Sequence, residues 1–178
     1  MAVKDILLLG NPLLYQVSAP VEARELAFAQ QVQQDLHDSM LAFRARYGWG
    51  RAIAAPQIGV LKRIVYLHVD RPQLFINPQL SNLDPVLIEL WDDCMSFPDL
   101  LVKVRRHRSA RLAYRDENWQ TQSLLIENDL SELLQHEIDH LDGILAVMRS
   151  IDGASFALQS QRHLLDPSGF ANPAGSTV

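Results

Sequence analysis

The stretch LLQHEIDHLDGIL, residues 133–145, decides how the chain is organised. His136 and His140 are four residues apart, and on a helix this spacing places both imidazoles on one face, one turn apart. Glu137 lies between them, which gives the HExxH pattern of helices that bind a metal and carry a general base. A catalytic metal also needs a third protein ligand and an open position for water. The identity of that third ligand determines the chemistry.

The composition excludes several classes of protein. The chain has 178 residues, enough for one domain with its own core. Its net charge of −5 provides no electrostatic footprint for nucleic acid or an anionic membrane, and we interpret the basic run at residues 105–108 as a solvated strand surface. No stretch resembles a signal peptide or spans a bilayer. Because Cys94 is the only cysteine, no intramolecular disulfide can form, and we expect a cytoplasmic protein.

Hydrophobic periodicity predicts an α+β fold. Apolar residues three or four apart predict an amphipathic helix over residues 21–47, ended by Gly48. A second, largely buried helix is expected from Asn128 or Asp129 to about Leu141. The six segments between the helices are rich in β-branched and aromatic residues and predict mostly antiparallel strands: RIVYLHV, QLFINPQL, PVLIELW, LLVKV, SARLAYRD and QTQSLLI.

The predicted architecture is therefore antiparallel sheets around a central buried helix that carries HEIDH, with the amphipathic helix before it. We expect one catalytic domain over residues 1–165, with a last surface helix at 153–165. Pro, Gly, Ser and Asn dominate the remaining residues, 166–178, and predict a flexible tail.

Two known kinds of HExxH site do not fit this sequence, which leaves few candidates for the third ligand. In one protease class a third histidine follows six residues after the second, but that position is Ala146 here. Another class uses a downstream glutamate, and this chain has none after Glu137. His163 and the downstream aspartates have no recognisable ligand context. Cys94 ends a predicted strand, and a site of one thiolate and two imidazoles suits zinc or Fe(II).

Three separated segments together resemble the peptide deformylase family. That family carries a G-x-G-x-A-A-P-Q loop, an E-G-C-L-S turn and a Q-H-E-x-D-H-L helix, in this order. The corresponding segments here are GRAIAAPQIG (residues 50–59), DDCMS (92–96) and QHEIDHLDG (135–143), and the likeness extends over about residues 5–151. The resemblance implies a hydrolase that removes the formyl group from formylmethionine of newly made polypeptides and releases formate. A role at the ribosome fits this function.

The resemblance also implies the roles of individual residues. Cys94, His136 and His140 would hold one divalent metal, most naturally Fe(II), with zinc, nickel or cobalt as substitutes. Glu137 is placed to take a proton from water and pass it to the leaving amine. Gln57 and the backbone N–H of Met95 would donate hydrogen bonds to the developing oxyanion. The substrate-binding residues would be Gly50, Arg51, Ala52, Asp93 and Leu133.

Several positions depart from the family pattern close to the substrate. Arg51 and Ala52 replace a small aliphatic residue and a glycine, Asp93 replaces a glycine, and Asp129 stands where leucine is common. We expect Arg51 to pair with Asp93. These changes leave open a relative with another N-acyl or peptide substrate, or a non-catalytic formyl-peptide binder.

Carboxylates near the histidines are expected to orient the metal ligands. Asp92 and Asp139 are the candidates, and Asp139 has an alternative partner in Arg105 or Arg106.

Overall fold

The computed structural model describes residues 3–170 as two α-helices and eight β-strands, joined by loops and short 3-10 turns. In chain order these are α1 (Leu26–Tyr47), β1 (Ala52–Ala54), β2 (Ile64–His68), β3 (Pro72–Ser81), β4 (Leu87–Asp93), β5 (Leu100–His107), β6 (Ser109–Arg115), β7 (Thr121–Glu127), α2 (Asn128–Leu141) and β8 (Phe156–Leu158). Across these residues, no helix combines the length and apolar character that crossing a membrane requires.

The strands form two antiparallel sheets. One has five strands in the order β1-β2-β3-β6-β7, and the other has three in the order β4-β5-β8. The six predicted strand segments correspond to β2 through β7, so the α+β prediction is confirmed. Strands β1 and β8 were not predicted, because three residues are too few to show an alternating pattern.

Helix α2 lies at the centre of the protein. Every residue from Ser131 to Leu141 is buried. Leu134 and Leu141 pack against apolar side chains of the five-stranded sheet, such as Phe75 and Leu112. The polar Gln135 is satisfied by the backbone of His107, accepting its N–H at 3.0 Å and donating to its carbonyl at 2.8 Å. The helix can therefore be buried on all sides without leaving these polar groups unpaired.

Helix α1 covers one side of β1 and β2. Its apolar residues Val32, Leu36, Met40 and Phe43 are buried in one cluster with residues of both strands. Gly48 ends the helix in the left-handed conformation, at φ 80°, as the sequence predicts. The helix begins later than predicted, since residues 23–25 form a 3-10 turn.

The prediction of a surface helix at residues 153–165 is wrong. Residues 156–158 pair with β5 as β8, and residues 159–164 form a 3-10 turn. Pairing with β5 satisfies backbone groups that a sheet edge would otherwise expose. The described part of the predicted tail contains a 3-10 turn at Pro167–Gly169, and Phe170 forms a bridge to Trp91. The rest of that tail, residues 171–178, lies outside the described residues, and the domain boundary at residue 165 stays a prediction.

Gly143 makes the turn after α2, and we expect its replacement by alanine to destabilise the protein. Its φ is +72°, and an added Cβ would lie 2.6 Å from the carbonyl oxygen of Tyr15. Left-handed strain and the backbone clash together should lower the free energy of unfolding by at least about 2 kcal/mol. Urea denaturation would measure this loss. Gly153→Ala is the control, because nothing lies within 4 Å of its Cβ position; equal stability of the two variants would contradict the prediction.

Candidate metal centre

Three side chains that could hold a metal meet at the core. Cys94 follows β4, and both histidines come from α2. Cys94 Sγ and His136 Nε2 each lie 3.2 Å from His140 Nε2, and the three ligand atoms lie within 4.8 Å of one another. Tetrahedral coordination with ordinary metal–ligand distances separates such donors by about 3.3 to 3.6 Å. The three residues therefore fit one divalent metal ion.

Asp92 orients the first histidine. Its Oδ2 lies 2.9 Å from His136 Nδ1, so that this nitrogen donates to the carboxylate and Nε2 is turned towards Cys94 and His140. Burial acts to raise the pKa of Asp92, but the neighbouring His136 and Arg106 outweigh burial and lower that pKa to about 2. The carboxylate is therefore ionised and can fix the imidazole. The prediction that Asp92 supports a histidine is confirmed.

Arg106 connects this carboxylate to a second one. It lies 3.1 Å from Asp92 Oδ2 and also bonds Asp139, which Arg149 contacts from the other side at 2.7 Å. Of the two predicted partners of Asp139, Arg106 is thus the correct one. The prediction that residues 105–108 form a solvated surface is wrong for Arg106, which is only 3% exposed. Alternation along β5 turns Arg105 outwards and Arg106 inwards, and the ion pairs make its burial tolerable.

Gln57 is held with its amide nitrogen towards the cysteine. Its Oε1 accepts the N–H of Ala54 at 2.9 Å, which leaves Nε2 to donate to Ser96 Oγ at 3.2 Å and to Cys94 Sγ at 3.6 Å. Ser96 belongs to the DDCMS segment, but no role was predicted for it from the sequence.

The N-terminal segment ties the two site loops together. The N–H of Leu7 donates to the carbonyl of Gln57 at 2.8 Å, and that of Leu9 donates to the carbonyl of Ser96 at 2.8 Å. The segment thus hydrogen-bonds to both loops that flank the cysteine.

Glu137 is buried beside the metal ligands. Burial raises its pKa to about 7, and its Oε2 has no hydrogen-bond partner among the described residues. Burial also lowers the pKa of His140 well below its usual value and raises that of the Cys94 thiol. His140 can therefore offer a lone pair, while the thiol needs a bound cation to favour its ionised form. A carboxylate with a pKa of about 7 is suited to proton transfer near neutral pH.

Cys94, His136 and Glu137 line a cavity of about 530 Å³. The structure brings all the predicted substrate-binding residues to its wall, together with Met95, Gln57 and Glu137; they are Gly50, Arg51, Ala52, Asp93 and Leu133. Four further charged residues of the wall were not predicted: Arg44, Asp70, Glu132 and Arg162. Glu132 precedes His136 by four residues, a helical spacing that could have identified it.

The predicted direct pair between Arg51 and Asp93 is wrong. Arg51 Nη2 lies 2.5 Å from Glu132 Oε1, and Asp93 Oδ2 lies 3.4 Å from Arg162 Nη1. The guanidinium of Arg162 also stacks over Phe170, with its Cζ 4.0 Å from the ring centroid. Arg51 and Asp93 therefore each have their own counterion, from α2 for Arg51 and from the C-terminal segment for Asp93.

Comparisons with known proteins agree with this geometry. A sequence model of the polypeptide deformylase family matches residues 3–155. A peptide deformylase of Leptospira biflexa is 34% identical, covering 84% of this chain and 88% of that protein. The crystal structure of peptide deformylase from Thermotoga maritima superposes with a TM-score of 0.78 at 25% identity, covering 85% of this chain and 100% of that one.

A second solved structure extends the likeness along nearly the whole chain. The Synechococcus elongatus peptide deformylase, crystallised in complex with actinonin, has a TM-score of 0.77 at 28% identity and covers 98% of this chain and 91% of that one. Sequence and fold thus lead to the same assignment. The chain belongs to the polypeptide deformylase family.

Proposed function

We propose that this protein is a metal-dependent peptide deformylase that hydrolyses the N-formyl group of newly made polypeptides beginning with formylmethionine. The products are formate and a free amino terminus. One observation carries the proposal: Cys94, His136 and His140 converge beside a buried Glu137, at a cavity large enough for a peptide end, in a chain of this family. Cavities of this size are typical of small-ligand sites.

The proposed ligand set is Cys94, His136 and His140, with one divalent metal per chain. A thiolate and two imidazoles suit Fe(II), which we propose as the metal in the cell, and zinc, nickel or cobalt can replace it. When bound, such a metal lowers the pKa of a water molecule and so supplies a nucleophile near neutral pH.

Glu137 is proposed as the general base and acid. It takes a proton at a carboxylate oxygen as water adds to the formyl carbon, and it then delivers that proton to the amine nitrogen as the C–N bond breaks. Its pKa of about 7 suits both halves of this transfer. The carboxylate is only 3% exposed, which limits proton exchange with bulk water.

Gln57 and Met95 are proposed to stabilise the charge that develops on the formyl oxygen. Gln57 Nε2 is already aimed at the cysteine by the bond that its Oε1 accepts from Ala54. The backbone N–H of Met95 follows the cysteine directly. Donors fixed before the reaction cost little reorganisation in the transition state.

The substrate is proposed to lie along Gly50, Arg51, Ala52, Asp93 and Leu133, which line the cavity. Its first peptide groups would follow the loop before β1 and the end of β4. Such substrates arise where polypeptides are made, so we propose that the protein acts in the cytoplasm. We also propose that it contacts the ribosome at times.

Formate release from formyl-Met-Ala-Ser tests this function. We expect the protein loaded anaerobically with Fe(II), or with nickel, to release formate, and a chelator to abolish the activity until metal is restored. Heat-treated protein with the same metal content is the control for metal-catalysed hydrolysis. Bound metal without formate release would contradict the proposal and favour a relative that acts on another N-acyl or peptide substrate.

A further inference from the structure

The wall of the cavity carries an ion pair that is not part of the proposed metal site. Arg51 Nη2 and Glu132 Oε1 are 2.5 Å apart, and both residues line the cavity that contains Cys94 and Glu137. The Glu132 side chain is only 4% exposed and that of Arg51 27%, so the pair is largely shielded from bulk water. Two charges at such a position influence any group that is placed against them.

The pair lies where the side chain of the formylated residue must go. Glu132 precedes His136 by one turn of α2, so the two backbones are about 6 Å apart along the same helix face. The side chain of the first residue branches only a few bonds from the formyl carbon, which has to lie near Glu137 and Gln57. That side chain therefore comes within reach of Glu132, and Leu133 lines the same wall.

Arg51 and Glu132 each have more hydrogen-bonding groups than the bond between them uses. Glu132 accepts from Arg51 through Oε1, and its carboxyl group has a second oxygen. Burial raises the pKa of Glu132 to about 7, so near neutral pH the group can accept a hydrogen bond when ionised and donate one when protonated. Arg51 donates to Glu132 through Nη2, and a guanidinium has further N–H donors. A polar substrate side chain can bond to these groups. An apolar side chain of the same length would shield them from water without replacing any hydrogen bond.

We infer that Arg51 and Glu132 determine specificity: compared with an apolar wall, they shift the choice of the formylated first residue towards a side chain that donates hydrogen bonds and away from an apolar one of similar length. This inference rests on the proposed deformylase function. It concerns the choice between substrates and leaves the attack on the formyl group unchanged. Glutamine and methionine form a suitable pair for comparison, because their side chains are similar in length and differ mainly in polarity.

The experiment compares two peptides, formyl-Gln-Ala-Ser and formyl-Met-Ala-Ser, on metal-loaded protein. The measured quantity is the ratio of kcat/KM for the glutamine peptide to kcat/KM for the methionine peptide. In the double variant Arg51→Ile, Glu132→Ile, this ratio should fall at least fivefold, because a hydrogen bond to a charged group changes binding by about tenfold or more. The fall should come mainly from KM, since the reacting groups are unchanged.

Two further variants keep the test decisive. Replacing both members of a buried pair by apolar residues is usually tolerated. If the double variant nevertheless fails to fold, Glu132→Gln, which keeps the volume and removes the charge, carries the test with an expected fall of at least threefold. The control is Glu89→Ile, Arg105→Ile, which removes an exposed pair on β4 and β5 and should leave the ratio unchanged.

The outcomes separate this inference from the proposed function. Turnover with a ratio that falls by less than these amounts would overturn the inference and leave the deformylase function standing. No formate from either peptide, with metal bound to the wild-type protein, would overturn the proposed function and the inference with it.

Discussion

Replacing Glu137 by glutamine should lower kcat/KM for formyl-peptide hydrolysis by about a hundredfold to ten-thousandfold, while the protein keeps its metal. Glutamine has nearly the same shape but cannot accept and return a proton, and positioned acid–base groups contribute about this much to a reaction. Glu137 is buried, with a pKa raised to about 7 and an Oε2 without a hydrogen-bond partner among the described residues. Glu132 has a similarly raised pKa, but its carboxyl group is bonded to Arg51. Formate release and metal content would be measured on the same preparation.

Glu117→Gln is the matched control for this experiment, because Glu117 lies in the exposed turn between β6 and β7. It should retain the wild-type rate. A Glu137→Gln protein with activity within tenfold of the wild type, and with equal metal content, would show that another group transfers the proton.

Replacing Arg106 by leucine should produce the largest loss of stability among the variants considered. The change would leave Asp92 and Asp139 buried without the cation that lies between them. Breaking a buried ion pair by removing one partner costs about 3 to 5 kcal/mol, and for a protein of this size such a loss lowers Tm by about 6 to 20 °C. Urea denaturation and thermal melting of the metal-loaded protein would measure both quantities.

Arg105→Leu provides the control on the adjacent residue. Arg105 is exposed and pairs with Glu89, and exposed pairs contribute about 1 kcal/mol or less. The two arginines thus differ mainly in the face of β5 on which they lie. If both variants lost the same stability, the Arg106 network would have no special role in holding the fold.

The main elements were predictable because their patterns are long. Helix α2 and the strands β2 to β7 each show several repeats of their hydrophobic period, and the fold follows from them. The meeting of Cys94 with the two histidines was also predictable, since few residues of this chain can complete an HExxH site. In both cases the sequence pattern was sufficient for the prediction, because it was compatible with one arrangement.

The pairing of charges was not predictable from the same information. Arg51, Asp93, Glu132 and Arg162 come from four separate segments, and the sequence does not say which of them face one another. The burial of Arg106 was missed because a basic run usually marks a solvated surface, whereas two carboxylates neutralise this arginine. The edge strand β8 formed where a surface helix was expected, because β5 has backbone groups to satisfy. Tertiary contacts decide all these features.

The distance along the chain between Cys94 and His140, 46 positions, has a thermodynamic consequence. An unfolded chain cannot hold these side chains together, so metal affinity belongs to the native state. By mass action, a free metal concentration a thousand times the dissociation constant adds about 4 kcal/mol to the stability of that state. The melting temperature of this protein therefore also reports its metal occupancy, and it can be measured without any substrate.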